Sequence, residues 1–384
     1  MKILLASSSS GSRGGGELYL LYLARALVDR GHEVTLWASD HPRMDELADS
    51  FARIGRVVRS SYRNTYDRRG RSLASFFDRR TGHRIGEEWR QLGVDVIHLN
   101  KQNLEDGLDL FVALRRSGVP SLCTIHLTQS ARYLRAVMAW PRDFCARQVL
   151  RSYPGMLVTV LENRQRDLVE FMGSSPHIRM IPNGVPLFAL EKRAEARTRR
   201  TELGIADDEL LIVGVGRMVP QKRPLLFLEQ AERILQAGVK ARFLWIGEGT
   251  FRSLAEEWDR WVAEHRRADK IQRLPWQSDV GSFLLAADVF LHVAEFEGLP
   301  LAILEAMSAG LPCAITSNLL GEMPFLNSAN SIAITEDDRC LAPLRHPEHL
   351  RENGKAARQL VEERFSFDTM AARYEAHYLE ARGG

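Results

Sequence analysis

Glu295-Phe296-Glu297-Gly298-Leu299-Pro300-Leu301-Ala302-Ile303-Leu304-Glu305-Ala306-Met307-Ser308-Ala309-Gly310 follows directly on the apolar run Val289–Val293. A short apolar run bounded by turn residues reads as a buried strand, and Pro300 suits the first position of a helix. The stretch is therefore a strand, a turn holding Glu297, and a helix carrying Glu305 a turn or more inside. Amides at the helix start, near Leu301 and Ala302, can stabilise a negatively charged group, because nothing inside the helix accepts from them. Either glutamate alone reads as a surface acid beside a helix start. Together they set two carboxylates, good partners for hydroxyl groups, beside an end that favours anions.

The same unit recurs in both directions along the chain. Strand candidates are Lys2–Ala6, Glu33–Ala38, Asp95–Leu99, Ser121–Ile125 and Met156–Val160, then Leu210–Val215, Ala241–Ile246, Val289–Val293 and Pro312–Thr316. Helix-length amphipathic segments lie between them, among them Glu17–Arg30, Asn103–Arg116, Ala131–Leu150 and Asn163–Met172. Such alternation means βαβ units and parallel sheets covered on both faces. It breaks once, at Ile181-Pro-Asn-Gly-Val-Pro186, a turn and linker signal, and then restarts. With 384 residues the chain is too long for one ordinary core. Two doubly wound halves are expected, residues 1–184 and 185–384, closed by a polar helix pair at Pro347–Arg364 and Phe367–Arg382. Ligands bind outside the carboxyl ends of strands in such sheets, and with two halves those ends can face each other across a cleft.

Two further loops stand at such ends. The first strand runs into Ser7-Ser8-Ser9-Ser10-Gly11-Ser12-Arg13-Gly14-Gly15-Gly16-Glu17 and then a helix, where glycines admit close approach to an anion. The G-x-G-x-x-G dinucleotide spacing is absent, and a merely flexible turn is the alternative. Leu210–Val215 leads into Gly216-Arg217-Met218-Val219-Pro220-Gln221-Lys222. There Arg217 can grip two oxygens of a diphosphate while Lys222 supplies a point charge. A solvent-facing cationic pair is the alternative.

Composition excludes the disordered and membrane-spanning classes: 45% of residues are hydrophobic and 26% charged. No run nears the roughly 20 apolar residues a spanning helix needs, and Met1–Ala6 reads as a first strand rather than a signal peptide. Cys123, Cys145, Cys313 and Cys340 are scattered without metal spacing, so reduced thiols in a cytoplasmic protein are expected. Charge is uneven: 27 Lys and Arg face 19 Asp and Glu up to Gly184, and 25 face 30 beyond it. Phe51 to Arg90 holds eleven arginines against four acids. That segment reads either as attraction to an anionic membrane surface or acceptor, or as a solvated Arg-rich face.

Taken in order, these motifs resemble the GT-B-fold, retaining nucleotide-sugar glycosyltransferases of family 4, also called group 1. Glu297 to Glu305 looks like the family's E-x7-E motif, and Arg217 with Lys222 matches its G-R-x4-K element. Gly15-Gly16-Glu17 with Gly31-His32-Glu33-Val34 is similar to its opening pattern, and Asp95-Val-Ile-His98, Thr124-Ile-His126, Ile181-Pro-Asn-Gly184 and Gly247-Glu-Gly249 follow collinearly. The resemblance spans nearly the whole chain. It implies an acceptor-binding first domain, with the last helix packing back on it, and a donor-binding second domain. The site would lie in the cleft between the two.

By that resemblance Arg217 and Lys222 hold the donor diphosphate, Glu305 binds the ribose hydroxyls, and Glu297 binds the sugar near the reacting carbon. Gly298, Leu299, Leu301 and Ala302 flank the diphosphate, Gly15 and Gly16 approach phosphate or acceptor, and His126 positions or stabilises the transition state. Transfer would run from a UDP- or GDP-sugar to a glycan, lipid-linked or small-molecule acceptor in bacterial cell-surface biosynthesis. No D-x-D pair is present and the two cations can replace a metal, so no metal or cofactor is expected. No nucleic-acid partner is expected, and peripheral contact with the inner membrane face would come through residues 51–90. The chain departs from the family pattern at Asn100, Leu161-Glu162, Pro300, Leu320-Gly321-Glu322 and Asn330-Ser331. Those departures motivate a rival reading as an inactive GT-B scaffold subunit. Asp40 after the second strand motivates another, an NAD(P)-dependent oxidoreductase, against which the glycine spacing speaks.

Overall fold

A computed structural model describes residues 1–173, 177–249 and 251–383. The chain forms two compact units, Met1–Gly184 with Phe367–Gly384, and Val185–Ser366. Each contains one wholly parallel sheet and a hydrophobic core of its own.

In the first unit the strands are β1 (Lys2–Ser7), β2 (Glu33–Ser39), β3 (Arg56–Ser60), β4 (Val96–Asn103), β5 (Ser121–Leu127), β6 (Met156–Thr159) and β7 (Ile178–Met180). Their order across the sheet is β3-β2-β1-β4-β5-β6-β7. The second unit holds β8 (Leu210–Val215), β9 (Ala241–Ile246), β10 (Ile271–Leu274), β11 (Val289–His292), β12 (Cys313–Thr316) and β13 (Ser331–Ile334), ordered β10-β9-β8-β11-β12-β13. In both sheets the strand order reverses once, between β1 and β4 and between β8 and β11. At such a switch point neighbouring loops part and leave a crevice at the carboxyl edge.

Burial explains why central strands form where they do. Leu4, Leu5 and Ala6, or Ile212 and Val213, are inaccessible to solvent, because helices cover both faces and continuous apolar runs fill them. Four strands carry no such run and go unmarked in the sequence: β3, β7, β10 and β13, the edge strands of both sheets.

Two helix expectations need correction. Asn103–Arg116 begins only at Leu110, because β4 continues through Asn103 and a turn intervenes. Ala131–Leu150 begins only at Ala139, where Pro141 sits in the first turn. A proline ring clashes with the carbonyl four residues earlier, so the helix cannot reach back through Val137. Turns occupy that stretch instead.

The last helix, Phe367–Gly383, belongs to the first unit. Its buried Tyr374 and Tyr378 place hydroxyls 2.8 Å from Thr124 Oγ1 and 2.7 Å from His98 Nδ1. Glu375 binds Arg30 at 2.6 Å and His32 at 3.0 Å. No helix among the described residues is long and apolar enough to cross a membrane.

Candidate functional site

The switch point of the second unit brings Lys222 and Glu297 together. β8 ends at Val215 and its loop runs alongside the extension of β9, with Gly216 N–H donating to Ile246 O at 3.0 Å and Met218 N–H to Glu248 O at 3.2 Å. This close approach needs glycine. A Cβ on Gly247, whose φ is 135°, would strike Gly216 O, and one on Gly249 would strike Met218 O. The motif Gly247-Glu-Gly249 thus supports the neighbouring loop that carries Arg217 and Lys222.

Lys222 forms an ion pair with Glu297, and His292 Nε2 donates to the same carboxylate oxygen at 3.2 Å. Glu297 is buried, and burial alone would raise its carboxyl. Lys222 and His292 outweigh that effect and hold it down at about 2. Loss of hydration pushes the His292 imidazole below its ordinary value, with the Glu297 charge opposing. The loop around Glu297 is braced: Gln221 Nε2 donates to Phe296 O at 2.9 Å, Glu295 N–H to Gln221 O at 2.8 Å, and Asn318 Nδ2 to Glu295 O at 3.0 Å.

Pro300 occupies the N-cap rather than the first helical position, and the helix runs Leu301–Ser308. The unmatched amides of its first turn are those of Leu301, Ala302 and Ile303. Gly298 and Leu299 are buried in the loop before this helix, and Glu305 is buried within it. Arg217 is exposed on the β8 loop and has no ion pair among the described residues.

The first unit's switch point carries the remaining candidates. Gly15 opens the helix Gly15–Asp29 after β1, and a Cβ on Gly16 would overlap the Gln102 amide at the end of β4. Asn100 Nδ2 donates to Gly16 O at 3.2 Å, which turns Asn100 Oδ1 toward His126 Nε2, 2.8 Å away. His126 Nε2 therefore carries the hydrogen and Nδ1 keeps a lone pair. Tyr19 packs edge-on against the imidazole at 4.7 Å between centroids. Burial pushes His126 down to about 4, so it is neutral near pH 7. Asn100 thus orients His126.

Sequence reasoning missed His292, Gln221, Asn318, Tyr19 and Gln102. Gln221 lies inside the Arg217–Lys222 stretch at a position the motif leaves open, and the other four reach their sites only through folding. Arg68 is corrected outright as a surface cation. It is buried, 2.5 Å from Asp109 and 3.2 Å from Asp78, and Tyr62 donates to the other Asp109 oxygen at 3.0 Å. Arg59 and Arg90 are tied to Asp45 and Glu87, whereas Arg63, Arg69, Arg71, Arg79 and Arg80 remain exposed. Past the ends of β2 and β3 opens a pocket of ≈ 680 Å³ lined by Asp40, His41, Arg43, Arg63, Asp67 and Arg69 among others. Among the described residues no cluster of His, Cys, Asp and Glu is arranged to hold a metal ion.

Two family profiles cover most of the chain: Glycosyltransferase Family 4 over residues 13–187 and Glycosyl transferases group 1 over residues 209–352. An Escherichia coli UDP-Gal:alpha-D-GlcNAc-diphosphoundecaprenol alpha-1,3-galactosyltransferase is 30% identical over 240 residues, a match spanning 59% of this chain and 58% of that protein. N-acetyl-alpha-D-glucosaminyl L-malate synthase of Bacillus anthracis is 20% identical, with 99% of this chain and 97% of that one matched. Among solved structures, Anabaena HepE in complex with UDP superposes with a TM-score of 0.78 at 17% identity, over 99% of this chain and 100% of that one. Sucrose-phosphate synthase of Thermosynechococcus elongatus gives 0.77 at 19%, over 99% and 98%. The shared fold is GT-B.

Proposed function

The chain belongs to the family 4, group 1 glycosyltransferases, and from that premise we propose that it transfers a sugar, with retention of configuration, from a nucleoside-diphosphate sugar to an acceptor. The observation that carries this reading is the Lys222–Glu297 pair at the β8/β11 switch point, beside the unmatched amides of Leu301–Ile303. A UDP-sugar is the favoured donor, supported by the E. coli relative's UDP-Gal and by the UDP bound in the HepE structure.

The chemistry follows from charge. Glycosyl transfer passes through an oxocarbenium-like state while negative charge builds on the leaving diphosphate. Arg217, Lys222 and the helix amides stand where that charge would develop, and preorganised donors of this kind contribute roughly a few kcal/mol each. Glu297 holds Lys222. An incoming diphosphate takes over Lys222 and leaves the Glu297 carboxylate, which His292 still holds by a hydrogen bond, to bind sugar hydroxyls. Two cations and a helix end supply the charge a metal would otherwise supply, so the reaction runs without one. Glu305 takes the ribose, and His126, neutral, positions by hydrogen bonding.

The acceptor is a glycan or a lipid-linked diphosphate sugar, which the E. coli relative's name supports. The exposed arginines of residues 51–90 attract it or the anionic membrane surface that carries it. A thermal-shift panel of UDP, GDP, ADP and NAD on wild type and Arg217→Ala tests the donor site. Stabilisation by UDP, weakened about 10- to 100-fold in affinity in the variant, is expected from loss of a charge-assisted contact. No response to any diphosphate would leave a GT-B subunit without catalysis.

A further inference from the structure

Twelve large apolar side chains are exposed among the described residues, and six of them fall between Tyr133 and Phe144. Val137 is 83% exposed, Trp140 70% and Phe144 56%, with Tyr133, Leu134 and Met138 beside them. Trp140 and Phe144, one helical turn apart, share the outward face of the helix Ala139–Arg151. The helix Arg71–Phe77 packs against it and ends in Phe77, 74% exposed. Apolar side chains scattered singly need no explanation, but a group this dense on one surface marks an interaction site.

The exposure is built rather than incidental. Asp143, buried, accepts from Ala131 N–H at 2.7 Å and Arg132 N–H at 3.1 Å. Arg142, also buried, donates to Val137 O at 2.8 Å and to Glu105, which in turn accepts from Ser72 on the neighbouring helix. Two non-glycine residues of the segment, Arg135 and Met138, sit at φ 51° and 54°, a conformation kept only where surroundings enforce it. Polar side chains on the inner face thus fix a loop whose apolar side chains point to water.

The charge around the surface is cationic. Arg132 lies over the Trp140 ring at 4.7 Å, Arg135, Arg69 and Arg71 are exposed on the same two segments and the loop entering the second, and Arg79 and Arg80 are exposed at the start of the helix that follows Phe77. Aromatic and aliphatic side chains ringed by arginine suit the headgroup region of an anionic bilayer, where rings sit at the boundary and guanidinium groups meet phosphates. The segment follows β5 and the helix Arg71–Phe77 follows β3, so both lie toward the carboxyl edge of the first sheet, as do Gly16 and His126.

We propose that Tyr133–Phe144, with Phe77, is a docking surface for an anionic phospholipid membrane, presenting the carboxyl edge of the first unit to acceptors held in that membrane. The purpose rests on the lipid-linked acceptor proposed above; the binding itself does not. The test is sedimentation of the full chain with phosphatidylglycerol-containing and pure phosphatidylcholine vesicles, without donor or acceptor. Variants are Val137→Ser/Trp140→Ser/Phe144→Ser and, separately, Arg132→Gln/Arg135→Gln.

Wild type is expected to bind anionic vesicles at least about tenfold more tightly than the triple variant, with the arginine variant impaired only on anionic lipid. The UDP-induced melting shift should stay unchanged in both, which separates this proposal from the donor-site reading and confirms folding. Equal sedimentation of wild type and triple variant overturns it. So does a wild type that ignores vesicles but forms a dimer which the triple substitution dissolves, since the occupant would then be a second copy.

Discussion

Lys222 is paired with Glu297, so a diphosphate that binds Lys222 must displace a carboxylate. Glu297→Gln removes the competitor while keeping the shape. We expect UDP affinity to hold or rise and turnover to fall about 100-fold or more, measured by calorimetric titration and donor consumption. Equal losses in both would mean Glu297 serves only to orient Lys222. His126 gives a second expectation. Its folded value of about 4 lies below the 6.5 of an unfolded histidine, so the unfolded chain binds more protons between them. Its contribution to stability is full above about pH 6.5 and declines as pH falls toward 4, by at most about 3 kcal/mol. Urea titrations across that range should show the decline flattened in His126→Gln, with buried His98, held near 3, supplying the remainder. Asn100→Asp should instead raise the histidine and bring an acid limb into the pH–rate profile. Lys222 and Glu297 were legible in sequence because each stands in a loop after an apolar strand. His292, on β11, was not: a lone histidine inside an apolar run looks like any other buried residue until the turn folds Glu297 over it.

At the scale of elements, the last helix has the clearest measurable role. Tyr378 satisfies His98 Nδ1 in a site that excludes water, and Tyr374 satisfies Thr124. Tyr378→Phe strands a buried acceptor or donor and should cost about 1–3 kcal/mol by chemical denaturation. Truncation after Ser366 uncovers Tyr19, His98 and Thr124 together and should abolish soluble expression of the first unit's fold. A truncated chain that melted like wild type would refute the structural role. The helix itself was readable from sequence to within one residue at its end. The edge strands were not, for a physical reason: β3 exposes Arg56, β10 exposes Gln272 and Arg273, and none buries both faces. A strand covered on one side or paired on one edge lacks the unbroken apolar run that marks β1, β8 or β9. The false helical start at Ala131 arose in reverse. Its apolar residues have helical spacing, yet Pro141 blocks the helix and those side chains face outward.

Two separate hydrophobic cores, joined through short connections at Gly184–Val185 and Ser366–Phe367, imply two cooperative units in one chain. Heat should unfold them in two resolvable transitions, since cooperativity follows the core and not the polypeptide. All donor-site side chains proposed in the acidic half, Arg217, Lys222, Glu297 and Glu305, lie in Val185–Ser366. A nucleotide bound there stabilises that unit by mass action, about 2.7 kcal/mol at a hundredfold excess over its dissociation constant. For a unit of this size that corresponds to a rise of roughly 5–10 °C. Differential scanning calorimetry with saturating UDP should therefore move one transition and leave the other within a degree or two. Arg217→Ala should shrink the shift without moving the unliganded midpoints, because its exposed side chain supports no packing. If both transitions rose together, UDP would be binding across the two units or the units would unfold as one.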